Sequence, residues 1–98
     1  MSQNRTDELL RALAHTERRR LLRRCRTRAV SAGDLAQDAG MSLASVSEHL
    51  KVLRKTGLAR VEKSGKYWFY KTDMASLKAV LSTLHQEIYD EDADDQTQ

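Results

Sequence analysis

Between Ser31 and Tyr70 the apolar positions change period once, and that change separates helices from a hairpin. Val46, Leu50 and Leu53 recur at four and three residues, one inward stripe of a helix that Gly57 stops. Ahead of it, Ser31 with Asp34 three residues on is a capping-box pattern that starts a short helix from about Ala32 to Ala39. Gly40 ends that helix, because a left-handed cap costs glycine little, and Ser42 caps the next one. After Gly57 the pattern alternates. A two-residue turn at Ser64 and Gly65 sets Lys63 opposite Lys66, Val61 opposite Trp68 and Ala59 opposite Tyr70. Ala59, Val61, Trp68 and Tyr70 then share the buried face.

Upstream, Thr6 can cap a first helix whose opening turn holds Asp7 and Glu8, with Leu9 and Leu13 on one face. A break near His15 and Thr16 leads to a second helix, Glu17 to about Cys25, with Leu21, Leu22 and Cys25 inward. Arg18, Arg19, Arg20, Arg23 and Arg24 cover the rest, first of all a solvated face and secondly a DNA contact. Downstream, Thr72 or Asp73 caps a last helix with Leu77, Leu81, Leu84 and Ile88 on one stripe and Val80 beside it. The order predicts a mainly α protein with a small β-hairpin: a winged helix-turn-helix of about five helices and a two-stranded wing. A fold this small gains from pairing, and the terminal helices offer Leu9, Leu13, Leu77, Val80, Leu81, Leu84 and Ile88 as a dimer interface. Residues 1–89 form this DNA-binding and dimerisation domain, and the acidic residues 90–98 a disordered tail.

Charge changes the picture more than composition does. Up to Thr72 there are sixteen Lys and Arg against seven Asp and Glu, or +9; from Asp73 on, one Lys meets seven acids, or −6, giving the formal net of +3. A polyanion meets the first part and is repelled by the second, so orientation is encoded along with affinity. No apolar run is long enough to cross a bilayer and no signal-peptide segment follows Met1, which predicts a cytoplasmic protein without a membrane partner. One cysteine, Cys25, excludes an intrachain disulfide and a thiolate metal site within one protomer. There is no Gly-rich phosphate loop, supported nucleophile or convergent carboxylate pair, so neither an enzyme nor a cofactor is expected.

Candidate chemistry concentrates on the outward arc of the helix after Ser42: Ala44, Ser45, Glu48, Lys51 and Lys55, with Ser47, His49 and Arg54 at its margins. Small groups at the N-terminal end let it sink into the major groove. Serine hydroxyls reach base edges or phosphates, Leu43 or Ala44 touches a thymine methyl, and Glu48 accepts from a cytosine amine. Lys51, Arg54 and Lys55 suit phosphates, as do Lys63, Ser64, Gly65 and Lys66 at the wing tip. His49 either donates to DNA or bridges to a neighbouring helix. Each residue alone also reads as an ordinary solvated side chain, Glu48 equally so; the set points to double-stranded DNA.

The chain resembles the arsenical-resistance-repressor (ArsR) type of dimeric winged-helix regulators from Leu9 to about Ile88. The likeness is carried by LLRALAHTERRRLL, by GDLAQDAGMSLASVSEHLKVLRKTGLARVEKSGKYWFY and by an amphipathic last helix. It implies a homodimer on an imperfect palindrome at a promoter, usually a repressor released by a signal. Ser42, Leu43, Ser45, Ser47, Glu48 and His49 match the family's DNA-reading positions, and Lys63 and Lys66 its wing. Leu43 replaces a polar residue often found there, which shifts that position toward methyl contact. Members that sense thiophilic metals carry a cysteine pair where this chain reads AVSAGDL, so that site is absent. Members that bind zinc-like ions between last helices use positions that here hold Met74, Ser76, Glu87 and Asp90, a set with no imidazole. Asp73, His85 and Glu87 are the remaining metal candidates, and the inducer is unknown. Three functions stand open: a DNA-binding regulator, a metal- or redox-responsive one acting near His85 and Glu87 or through Cys25, and a winged-helix module for protein or RNA.

Overall fold

The computed structural model describes residues 1–90, so the expected tail lies outside the described residues apart from Asp90. The elements run α1 (Gln3–Leu13), α2 (Thr16–Arg24), β1 (Val30–Ser31), α3 (Ala32–Ala39), α4 (Leu43–Lys55), β2 (Ala59–Ser64), β3 (Tyr67–Thr72) and α5 (Met74–Tyr89). Three helix starts follow the capping logic. Ser31, Ser42 and Asp73 each accept, through a side-chain oxygen at 3.1 Å, the amide of the residue three further on. Gly40 closes α3 at φ 65°, a conformation that a β-carbon disfavours. The first helix differs from expectation. Ser2, not Thr6, is its cap, and Thr6 is buried, its hydroxyl donating to the Ser2 carbonyl at 3.0 Å. The second opens at Thr16, with His15 in the cap position and no side-chain bond there.

The sheet is antiparallel with the order β1-β3-β2, so the expected two-stranded wing gains a short third strand on its inner edge. Val30 pairs with Tyr70 and Ser31 with Phe69. In the wing Ser64 pairs with Tyr67, Lys63 with Trp68, Val61 with Tyr70 and Ala59 with Thr72. The turn is therefore Gly65–Lys66 rather than Ser64–Gly65. Gly65 sits at φ 61° and no non-glycine residue among the described residues has a positive φ, which suits a turn of type II′ with glycine at its first central position. Placing Ser64 there instead would push a side-chain-bearing residue into that region. Ala59 and Tyr70 still face the core, but Trp68 is carried toward the tip and is 40% exposed, against the burial expected for it.

Leu21 and Leu35 meet Val46, Leu50 and Leu53 of α4 and Leu58 just after it, all fully buried, with Leu9 of α1 and Val80 of α5 closing the core. Leu9 and Val80 are thus used inside the protomer and offer no surface to a partner, which corrects their assignment to a dimer face. Cys25, at the end of α2, is wholly buried beside Thr72 at the end of β3. The Thr72 hydroxyl donates to the Leu22 carbonyl at 2.6 Å and its amide to the Cys25 carbonyl at 2.9 Å, which fastens α2 to the base of the wing.

Candidate nucleic-acid interface

The α3–α4 turn is short because Gly40 and Ser42 end one helix and begin the next within three residues, and this throws the N-terminus of α4 clear of the core. Since Val46, Leu50 and Leu53 are all buried, the opposite arc faces out. Ser42, Leu43, Ala44, Ser45, Ser47, Glu48, Lys51, Arg54 and Lys55 are all exposed along it, and so are Lys63, Ser64, Gly65 and Lys66 on the wing. One helix face and one hairpin tip therefore present the polar residues singled out in the sequence.

The hydroxyls on that face differ in what they have left to give. Ser42 caps the helix, accepting the Ser45 amide, and donates to the Ser45 hydroxyl oxygen at 3.0 Å, so its hydrogen-bonding capacity is largely used at home. Ser45 keeps its own proton for an outside acceptor. Leu43 stands 55% exposed at the tip of α4, an apolar side chain left in solvent by the protomer.

His49 is half-buried, and its Nδ1 accepts from Nε of Arg18 on α2 at 3.2 Å, with the His15 ring 6.3 Å away. It is a bridge between helices within the protomer. Arg5 braces the other end of α4, donating to the Thr56 carbonyl at 2.5 Å. Two arginines thus hold α4 from behind, one of them on the α2 face expected first of all to be a solvated surface.

Sequence reasoning missed Trp68. Two cations lie over its ring, Lys63 with Nζ 4.5 Å from the centroid and Arg54 with its guanidinium carbon at 5.6 Å. The cation–π contacts join the wing to the end of α4 and restrict two side chains suited to phosphate. Tyr67, 57% exposed, has Lys66 over its ring at 5.5 Å. The signal was present in the turn: glycine at the first central position moves Trp68 from opposite Val61 to opposite Lys63. The ion pairs among the described residues are Arg5–Glu8 and Arg60–Asp73, so Lys51, Arg54, Lys55, Lys63 and Lys66 keep their charge un-neutralised.

The metal candidates do not assemble within the protomer. Asp73 is engaged as the cap of α5 and pairs with Arg60 at 3.7 Å, while His85 stacks on Tyr89 at 5.3 Å. At ~1.5 Å per residue Asp73 and His85 stand about 18 Å apart along the helix. Among the described residues no three His, Cys, Asp or Glu side chains are placed to hold an ion. Burial pushes the Cys25 thiol above its ordinary pKa, opposed in part by its contact with Thr72, which favours the protonated, less nucleophilic form.

Residues 13–62 match the helix-turn-helix domain family. Over 78 residues the chain is 31% identical to the transcriptional activator HlyU of Vibrio cholerae, covering 80% of this chain and 72% of that protein. An ArsR-like transcriptional regulator from Rhodococcus sp. RHA1 superposes with a TM-score of 0.77 at 25% identity, covering 85% of this chain and 78% of that one. A homodimeric winged helix-turn-helix DNA-binding domain from Mycobacterium bovis, solved by NMR, shares the fold with a TM-score of 0.70 at 24% identity, over 86% and 81% of the two chains.

Proposed function

The chain belongs to the helix-turn-helix transcriptional regulators of the ArsR type, and from that premise we propose that it acts as a homodimer on a two-fold-related operator in double-stranded DNA, repressing the promoter it covers. The observation that carries this is the exposed arc of α4 and the wing tip, polar and cationic together, with no acidic partner among the described residues claiming their charges. Leu43, Ala44, Ser45, Ser47 and Glu48 read base edges in the major groove; Lys51, Arg54, Lys55, Lys63 and Lys66 hold phosphates and set register. Ser42 orders the helix start, and His49 supports from behind. Two copies bring two such helices to successive major grooves, about 34–36 Å apart on one face of a duplex. The homodimeric M. bovis domain supports pairing. The V. cholerae relative is named an activator, so the sign of regulation depends on where the operator lies in the promoter.

Sequencing genomic fragments retained by the purified protein tests this, followed by anisotropy titrations on the recovered site over a range of salt. A two-fold-related consensus with at least a thousandfold preference over competitor is expected. Binding without any sequence preference would instead favour a protein- or RNA-interaction module.

A further inference from the structure

Between α2 and the first turns of α5 lies a groove of about 420 Å³, inside the ~300–1,000 Å³ range of small-molecule sites. Its floor is apolar, made by Leu22, Leu77 and the 39% exposed Met74. Its rim carries Arg20, Arg23 and Arg26, and no acidic side chain among the described residues lines it. Arg19, at one end, is spent on the Leu13 carbonyl at 2.6 Å. Arg20, Arg23 and Arg26 have no hydrogen bond or ion pair with any described residue. Three unpaired guanidinium groups around an apolar floor fit one chemistry: an anionic head, held by a planar fork of donors, on a body that gains by leaving water.

We propose that this groove is an effector site for an amphipathic organic anion, a carboxylate bearing a short aliphatic or aromatic body. The walls connect it to both DNA-reading elements. On one side α2 holds α4 through the Arg18–His49 bond. On the other, Thr72 joins α2 to the end of β3, and Asp73 reaches Arg60 on β2. A ligand wedged between α2 and α5 strains the Thr72 tie and moves the wing relative to α4, so it binds best to a form that grips DNA less well. Occupancy of the groove is independent of the proposed function; its effect on DNA rests on that reading.

The test uses sodium octanoate on the full chain, with 1-octanol and inorganic phosphate as the arms that carry only the tail or only the charge. Backbone amide shifts in NMR are expected to move saturably around Leu22–Arg26 and Thr72–Leu77 with octanoate and not with either control. An Arg23→Gln, Arg26→Gln double variant, altered only on the rim, is expected to keep its fold by circular dichroism and to lose octanoate affinity by about tenfold or more. Saturating octanoate is expected to weaken operator binding of the unaltered chain by about fivefold or more, the lower range of allosteric couplings, and to leave the double variant's unchanged. Equal responses to phosphate or octanol, shifts mapping elsewhere, or retained affinity in the double variant would overturn the site. So would a double variant whose ligand-free DNA binding loses salt dependence, since the arginines would then be phosphate contacts. An octanoate site in a protein that binds no DNA would leave occupancy standing, overturn the effector role and sink the regulator reading separately.

Discussion

At the residue scale, Cys25 and Thr72 show what a small core asks of polar groups. Both are buried, and both are satisfied by backbone carbonyls one helical turn back or across the α2–β3 contact. Removing the Thr72 hydroxyl leaves the Leu22 carbonyl without that donor, so Thr72→Val is expected to cost ~1–3 kcal/mol in urea unfolding. Loss below ~0.5 kcal/mol would mean that the tie is not holding the wing base. The thiol has a linkage consequence. Because burial raises its folded-state pKa, the contribution is fully present below the ordinary cysteine range and is lost as pH rises, while the unfolded chain ionises first. Stability therefore falls above about pH 8.5, by up to ~1.4 kcal/mol per pH unit for this one group. Cys25→Ala is expected to flatten that part of the profile, and a thiol reagent at pH 7.5 to label native protein only at the rate of unfolding. Fast stoichiometric labelling would contradict the buried, protonated thiol and reopen a redox role.

At the scale of elements, the proposed DNA face depends on two parts being held in register: α4 and the wing. Trp68 couples them by taking Arg54 from one and Lys63 from the other. Trp68→Ala is expected to lower operator affinity about fivefold, on the order of 1 kcal/mol for two exposed cation–π contacts, with little loss of stability. As the chain's single tryptophan it is also its own reporter, and its fluorescence should change when DNA binds. Lys63→Ala and Lys66→Ala act differently. Each is expected to weaken all sequences alike and to reduce the salt slope by about one, whereas Ser45→Ala changes preference among sites. A Ser45→Ala loss equal on every sequence would remove it from base readout. Much of this was legible before the fold was seen. The start of α3 is written locally in Ser31 and the α3–α4 turn in Gly40 and Ser42, and the exposed arc follows from the period of Val46, Leu50 and Leu53. What could not be read is non-local: β1 is two residues long and exists only because Phe69 and Tyr70 lie beside it, and the Arg18–His49 bridge spans separate helices. The wing register differs from the expected one although its cause is local, since Gly65 stands first in the turn.

For the whole molecule, the question is what covers α5. Val80 is buried and Leu77 half-buried against the protomer core, yet Leu81 is 55% and Ile88 62% exposed, seven residues apart and so on one face, with half-buried Leu84 between them. A two-fold pair brings each such residue to the interface twice. Burying one leucine is worth ~1.5–3 kcal/mol, so Leu81→Asp forfeits roughly 3–6 kcal/mol per dimer, two to four powers of ten in the association constant at ~1.4 kcal/mol each. The protomer itself loses almost nothing, because Leu81 takes no part in its core. Leu81→Asp is therefore expected to sediment as a monomer at micromolar concentration with an unchanged circular dichroism spectrum. Operator affinity is expected to fall far more than for any single wing lysine, since one protomer engages only half of a two-fold site. A variant that stays dimeric would move the interface away from α5. One that turns monomeric yet binds operator as tightly as before would show that the second copy adds nothing to recognition, and the two-fold operator would go with it.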